Sequence, residues 1–211
     1  MRLSTIALLL LLITPGLADA KAKKVDDYHW TGVERVIAIG DLHGDYERYI
    51  DVMESAGLID KKGKWAGGKT HLVQTGDITD RGPDSRKIID HLVNLAKQAK
   101  RKGGYIHMLI GNHEMMNVVG DLRYVSDGEF QAFTSKNSPR LQNMQGERQV
   151  EWMQANMPEF ETMDLDAYRL EWEKTIPLGW VEHRGAWVLN GQYGKWVEGN
   201  RVAVQVNDTI F

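Results

Sequence analysis

Seven side chains, gathered in three short blocks, are of types that could do chemistry together. Asp41 and His43 stand in Gly40-Asp41-Leu42-His43-Gly44-Asp45, and Asp77, Asp80 and Arg81 in Gly76-Asp77-Ile78-Thr79-Asp80-Arg81-Gly82. Asn112 and His113 stand in Gly111-Asn112-His113-Glu114. Asp41 and His43 are two apart, so on an extended segment they point the same way. An oxygen and a nitrogen ligand on one face suit Mn, Fe or Zn better than Ca. Gly76 has no Cβ, so an ion could approach the backbone closely beside Asp77. The Asp77 carboxylate has two oxygens and can bridge a first cation to a second, to which Asn112 adds a neutral carbonyl. Arg81 can fork onto a phosphate.

Charge counting extends the reading. Two divalent ions bring four positive charges, of which Asp41 and Asp77 cancel two. The excess suits a phosphate dianion and a shared hydroxide. Two ions about 3.5–4 Å apart would acidify a shared water and clamp an in-line displacement. Arg81, with Asn112, would face the phosphate. His113 diverges from its neighbour Asn112, so it reads as the acid that protonates the leaving oxygen, with Asp80 orienting its ring.

Each block follows an apolar run, as a strand tip would. Glu34 to Ile39, His71 to Gln74 and Tyr105 to Ile110 read as strands, the first as one buried on both faces. Asp45 can cap a helix from Tyr46 to about Ala56, with Tyr49, Ile50, Val52 and Met53 on its apolar side. Pro83 suits the first helical residue of a second helix, in which Ile88, Ile89, Leu92, Val93, Leu95, Ala96 and Ala99 recur at helical spacing. Gly103-Gly104 stops it. Strand-helix-strand-helix-strand predicts a parallel α/β sheet covered on both faces, with ligands gathering beyond the carboxyl ends of the strands. Residues 114–176 read as a helical insertion. Trp187-Val188-Leu189 and Val202 to Val206 read as strands, and Thr209-Ile210-Phe211 starts another.

The chain has 211 residues, 26% of them charged, a net charge of −3 and no cysteine. This is enough for one sizeable domain, without the basic excess that nucleic acid or an anionic membrane would require. Residues 1–20 carry Arg2, an apolar run from Ile6 to Ile13 and Ala18-Asp19-Ala20. They read as a cleavable secretory signal peptide, too short to span a bilayer, which predicts a periplasmic or secreted protein without stable membrane insertion. Residues 21–33 read as a leader and 34–211 as the domain.

The three blocks together resemble the signature blocks of the calcineurin-like metallophosphoesterases. Asp80-Arg81-Gly82 resembles their phosphoprotein phosphatase branch, and the stretch from Leu178 to Trp196 is similar to its bacterial Shewanella-like phosphatases. The resemblance implies a layered β-sandwich flanked by helices, with Asp41, His43 and Asp77 on one divalent metal and Asp77 and Asn112 on another. It implies Arg81 on the phosphate, His113 with Asp80 as an acid dyad, and a phosphorylated protein or small phosphoester as substrate. That family supplies two further metal histidines, the first in a His-Gly-Gly stretch, and neither is in this sequence. Asp77 and Asn112 are too few ligands for a second ion. His29, His71, His91, His107 and His183 read as structural. The expectation is a domain incomplete at its C-terminus, with weak activity. Two other readings fit part of the pattern: a nucleotide or dinucleotide polyphosphate hydrolase, and a non-catalytic phosphate-binding module.

Overall fold

The computed structural model describes residues 28–157 and 164–211. The expected signal peptide and residues 21–27 of the leader lie outside them. After a short strand β1 (His29–Trp30), three parallel strands form the central sheet: β2 (Val36–Ile39), β3 (His71–Gln74) and β4 (Tyr105–Met108), in that spatial order. Helices α1 (Tyr46–Ser55) and α2 (Ser85–Arg101) make the crossovers. Because strand side chains alternate, Leu72 and Ile106 turn to the helical side and Val73 to the other. On the helical side they join Tyr49 and Met53 of α1 and Ile88, Ile89, Leu92, Leu95 and Ala99 of α2 in the main core. The 3.6-residue period of α2 therefore serves as expected.

On the opposite face a smaller sheet packs, ordered β1, β5 (Gln205–Val206) and β6 (Thr209–Ile210). Val73 and Leu109 meet Val204 and Val206 there, with Trp30, Val33 and Phe211 at the margin. Trp30 lies over His71 and His107, at ring-centroid distances of 4.9 and 5.5 Å. The fold is thus the layered α/β arrangement expected, a sandwich with helices outside.

Five local expectations need correction. The range assigned to the leader holds β1, which pairs in parallel with β5. The peptide of Val33 is also clamped by the Asn207 side chain, which accepts from Val33 N and donates to Val33 O. β2 is not buried on both faces: Ala38, on the face where Val36 meets the smaller cluster, is exposed. Pro83 lies two residues ahead of α2, whose first residue is Ser85. Ser85 N donates to the Glu129 carboxylate at 3.2 Å, so a distant side chain satisfies the helix start.

The fourth correction concerns Trp187-Val188-Leu189, which is not a strand. Helices α3 (Asn112–Val119), α4 (Asp127–Ala132), α5 (Ser138–Asn156) and α6 (Leu165–Thr175) occupy the predicted insertion. They are followed by α7 (Trp180–Trp187) and α8 (Gln192–Gly199). Trp187 is one turn from His183, and the two are buried together; Trp187 also stacks on Tyr193 at 5.1 Å. Val188 and Leu189 follow as an exposed turn. Helical spacing to His183 outweighs the local apolar run. The fifth concerns Val202 to Val206, where the strand is confined to Gln205–Val206, Val204 exchanges backbone hydrogen bonds with Phe211, and Val202 is exposed. No helix among the described residues is long and apolar enough to cross a membrane.

Candidate metal centre

The three blocks meet at the tips of β2, β3 and β4, the first two joined backbone to backbone and the third tied to the second through the side chains of Asp77 and Glu114. Leu42 N and His43 N both donate to Asp77 O at 3.0 Å, and Gly44 N donates to Ile78 O at 2.8 Å. Gly82 N donates to His43 O at 2.9 Å. Gly76 takes a φ of +99°, and a Cβ there would sit 2.4 Å from Gly111 N. The missing side chain therefore admits the neighbouring strand tip rather than an ion beside the Gly76 backbone.

His43 does not lie on an extended segment. Its φ is +44°, a left-handed turn. That turn still brings it to Asp41, with His43 Nε2 3.5 Å from Asp41 Oδ2. His43 Nδ1 lies 3.0 Å from Thr79 O. A carbonyl only accepts, so Nδ1 carries the proton and the lone pair of a neutral ring is on Nε2. This Nε2 is buried and has no hydrogen-bond partner. Ligand atoms of His43, Asp77 and His113 lie within 4.8 Å of one another. Asp41, largely exposed, stands at the margin of this group through its contact with His43.

Asp77 is half-buried with a φ of +53°, and its Oδ1 accepts from His113 N at 3.0 Å. His113 is the second residue of α3, 4% exposed, and its Nδ1 donates to Asp80 Oδ2 at 2.7 Å. Asp80 is 1% exposed, and its other oxygen accepts from Asn117 Nδ2 at 2.8 Å. With Nδ1 taken by Asp80, Nε2 is the His113 nitrogen left for the site, and the His113 and His43 rings meet edge-on at 4.7 Å. Arg81 is exposed, with a φ of +64° and its N–H on Tyr124 O at 2.8 Å. With His43, Gly82 and Pro83 it lines an open groove of about 570 Å³. Asn112 opens α3 and is exposed, with its amide toward Met116 Sδ at 3.9 Å.

Three functional neighbours were missed in the sequence. Asn117 is one helical turn beyond His113, a spacing that could have revealed it. Glu114 is three residues past Gly111, whose N–H donates to it at 2.8 Å, the spacing of a capping box. Glu129 is three residues past Ser126, whose Oγ accepts from Glu129 N at 3.2 Å, so the same capping-box spacing marked it, although nothing local announced its contact with Ser85. It is buried on α4, and burial, followed by the nearby Asp80 and Asp84 charges, outweighs its bonds to Ser85 and pushes its carboxyl up to about 7.

The unpartnered His43 Nε2, with the Asp77 carboxylate and the His113 imidazole in reach and Asp41 at the margin, is a donor set that fits a borderline divalent metal. For a second ion the residues at hand are Asp77 and Asn112. A profile of the Calcineurin-like phosphoesterase family matches residues 34–206, and the chain belongs to that family. Its members use divalent metal ions, which agrees with the donor set found here. Among individual proteins, Shewanella-like protein phosphatase 2 of Arabidopsis thaliana is 48% identical over 100 residues, 47% of this chain and 26% of the plant protein. Shewanella-like protein phosphatase 1 of Plasmodium berghei is 37% identical over 110 residues, 52% of this chain and 30% of the parasite protein. The crystal structure of a cold-active protein-tyrosine phosphatase from a psychrophilic Shewanella superposes with a TM-score of 0.57 and 25% identity, over 87% of this chain and 42% of that one. The matched portion is thus under a third of each curated relative's length.

Proposed function

We propose that the chain carries the reaction centre of a metal-dependent phosphatase for phosphate monoesters, with phosphoproteins as the substrate class. We further propose two divalent ions, with manganese the metal to test first, and export through residues 1–20 to the periplasm or beyond. The observation that carries the reading is the meeting of the orphaned His43 Nε2 with Asp77 and a His113 backed by buried Asp80. The names of the relatives support phosphoprotein as the substrate.

Asp41, His43 and Asp77 would hold a cation, with Asp77 and Asn112 toward a second. When bound, the metals supply positive charge against the phosphoryl oxygens and acidify the attacking water. Arg81 at the groove rim forks onto phosphoryl oxygens and orients the group for in-line displacement. His113 Nε2 gives its proton to the leaving oxygen, and Asp80 holds the ring and stabilises its protonated form. The second position rests on Asp77 and Asn112, so turnover by the 211-residue chain is expected to be weak.

The test is phosphate release from p-nitrophenyl phosphate and from phosphopeptides with added manganese, for wild type and Asp77→Asn. Turnover that depends on manganese and is lost in the variant supports the enzyme. Stabilisation by phosphate without any turnover would instead favour a binding module, and preference for dinucleotide polyphosphates would overturn the substrate class.

A further inference from the structure

Glu114 shares its block with Asn112 and His113, yet its side chain turns away from the proposed metals. It is fully buried. Its Oε2 accepts from Asp77 N at 2.9 Å and Gly111 N at 2.8 Å. Its Oε1 accepts from Ile78 N at 2.8 Å and from Thr79 N and Thr79 Oγ1, both at 3.2 Å. Five donors thus converge on one carboxylate, and four of them belong to the loop after β3. A carboxylate serving only its own helix would need Gly111 N alone. Successive N–H groups of Asp77, Ile78 and Thr79 form a concavity that only an anion fills well. The same loop contains the left-handed residues Asp77, Asp80 and Arg81, a backbone that L-residues avoid without external support.

The bonding is reciprocal. Glu114 on α3 receives the Asp77 backbone, and the Asp77 carboxylate receives the His113 backbone of α3. Two crossing bonds of this kind fix both where the Asp77 carboxylate stands and how it is turned.

We infer that Glu114 is the positioning residue of the metal centre: its buried carboxylate holds the Asp77–Thr79 backbone in the one conformation from which Asp77 can reach a cation. This rests on the metal-dependent reading above, and it deepens that reading by naming what sets the geometry of the bridging ligand. Glu114 touches neither substrate nor metal.

The test is Glu114→Gln in the full chain. A carboxamide keeps the size but replaces one acceptor oxygen with a donor, so in either orientation at least two of the N–H groups lose their partner. Two readouts are needed. Manganese affinity, measured by titration with spin-resonance detection, is expected to fall about 10–100-fold. In the metal-free protein, amide exchange at Asp77, Ile78 and Thr79 is expected to accelerate while β3 and α2 stay protected. Wild-type affinity together with unchanged exchange in Glu114→Gln overturns the inference. Absence of manganese binding by wild type would sink the phosphatase reading instead, and the exchange measurement would still decide the role of Glu114. Should Glu114→Gln not fold, Thr79→Val removes one of the five donors without touching charge. It is expected to weaken manganese binding about two- to five-fold, because the N–H donors of Asp77, Ile78 and Thr79 to the carboxylate remain, and wild-type affinity there overturns the inference.

Discussion

Replacing Asp80 by Asn tests the proposed proton donor, His113, directly. In the wild type one Asp80 oxygen takes His113 Nδ1 at 2.7 Å and the other takes Asn117 Nδ2 at 2.8 Å, with the side chain 1% exposed. Water cannot substitute for either bond. Asparagine keeps the shape but offers one acceptor, so its NH₂ must face His113 or Asn117. If it faces His113, the imidazole must accept at Nδ1, and the charged form of the ring loses its counter-ion. A hydrogen bond to a charged group contributes about 1.5–3 kcal/mol. Losing that much from the protonated ring corresponds to a fall of roughly 10–100-fold in the rate of a step that needs its proton. The assay is kcat for two aryl phosphates, one with the good leaving group p-nitrophenolate and one with phenolate. Phenyl phosphate needs the proton and should slow by that factor, whereas p-nitrophenyl phosphate should stay within about threefold of wild type. An equal loss for both substrates would mean that Asp80 only holds the fold, and no loss for either would refute the dyad.

Three further outcomes follow from the packing. The raised carboxyl of Glu129, near 7 against an ordinary 4.5, means that the folded state keeps a proton which the unfolded chain releases. That stabilisation is present below pH 4.5 and lost as pH rises through 7, on the order of 3 kcal/mol in all. Urea unfolding of Glu129→Gln should therefore show a stability advantage over wild type that grows from pH 4.5 to 8, and a pH-independent difference would contradict it. His183 is 1% exposed among Phe130, Phe133 and Trp187, and burial, with Arg184 nearby, pushes it down to about 3. The unfolded chain takes up a proton below pH 6.5 that the fold refuses, so stability falls as pH drops. His183→Phe should recover about 2 kcal/mol at pH 5 relative to pH 8, seen as a shallower acid limb of Tm against pH. Gly76→Ala would set a Cβ 2.4 Å from Gly111 N at a left-handed φ. The variant should lose more than about 2 kcal/mol of stability together with manganese binding, and a wild-type melting curve would show that the two strand tips are not in contact.

The parallel sheet was legible because its signals are local. Val36 to Ile39, His71 to Gln74 and Tyr105 to Met108 are apolar runs closed by glycine, and Ile88 to Ala99 repeats at helical period. The small second sheet was harder to read. His29–Trp30 pairs with Gln205–Val206 across most of the chain, and a two-residue strand has no period to detect. Trp187 was misread because its partners, His183 and Tyr193, are on helices that only their mutual burial stabilises.

By residue type and spacing alone, the chain is committed to three strand tips bearing Asp41, His43, Asp77, Asp80, Arg81, Asn112 and His113, and so to a donor set of the kind that holds cations. Tertiary contacts alone decided how those groups face. His43 is turned by a left-handed bend and locked by Thr79 O, His113 is backed by Asp80, and the Asp77 loop is gathered around Glu114. The physical reason is that a side chain's chemistry is a local property. Its direction and its proton depend on donors and acceptors supplied by a loop or a helix distant in sequence, such as Thr79 for His43, 36 residues away, and Glu114 for Asp77, 37 residues away.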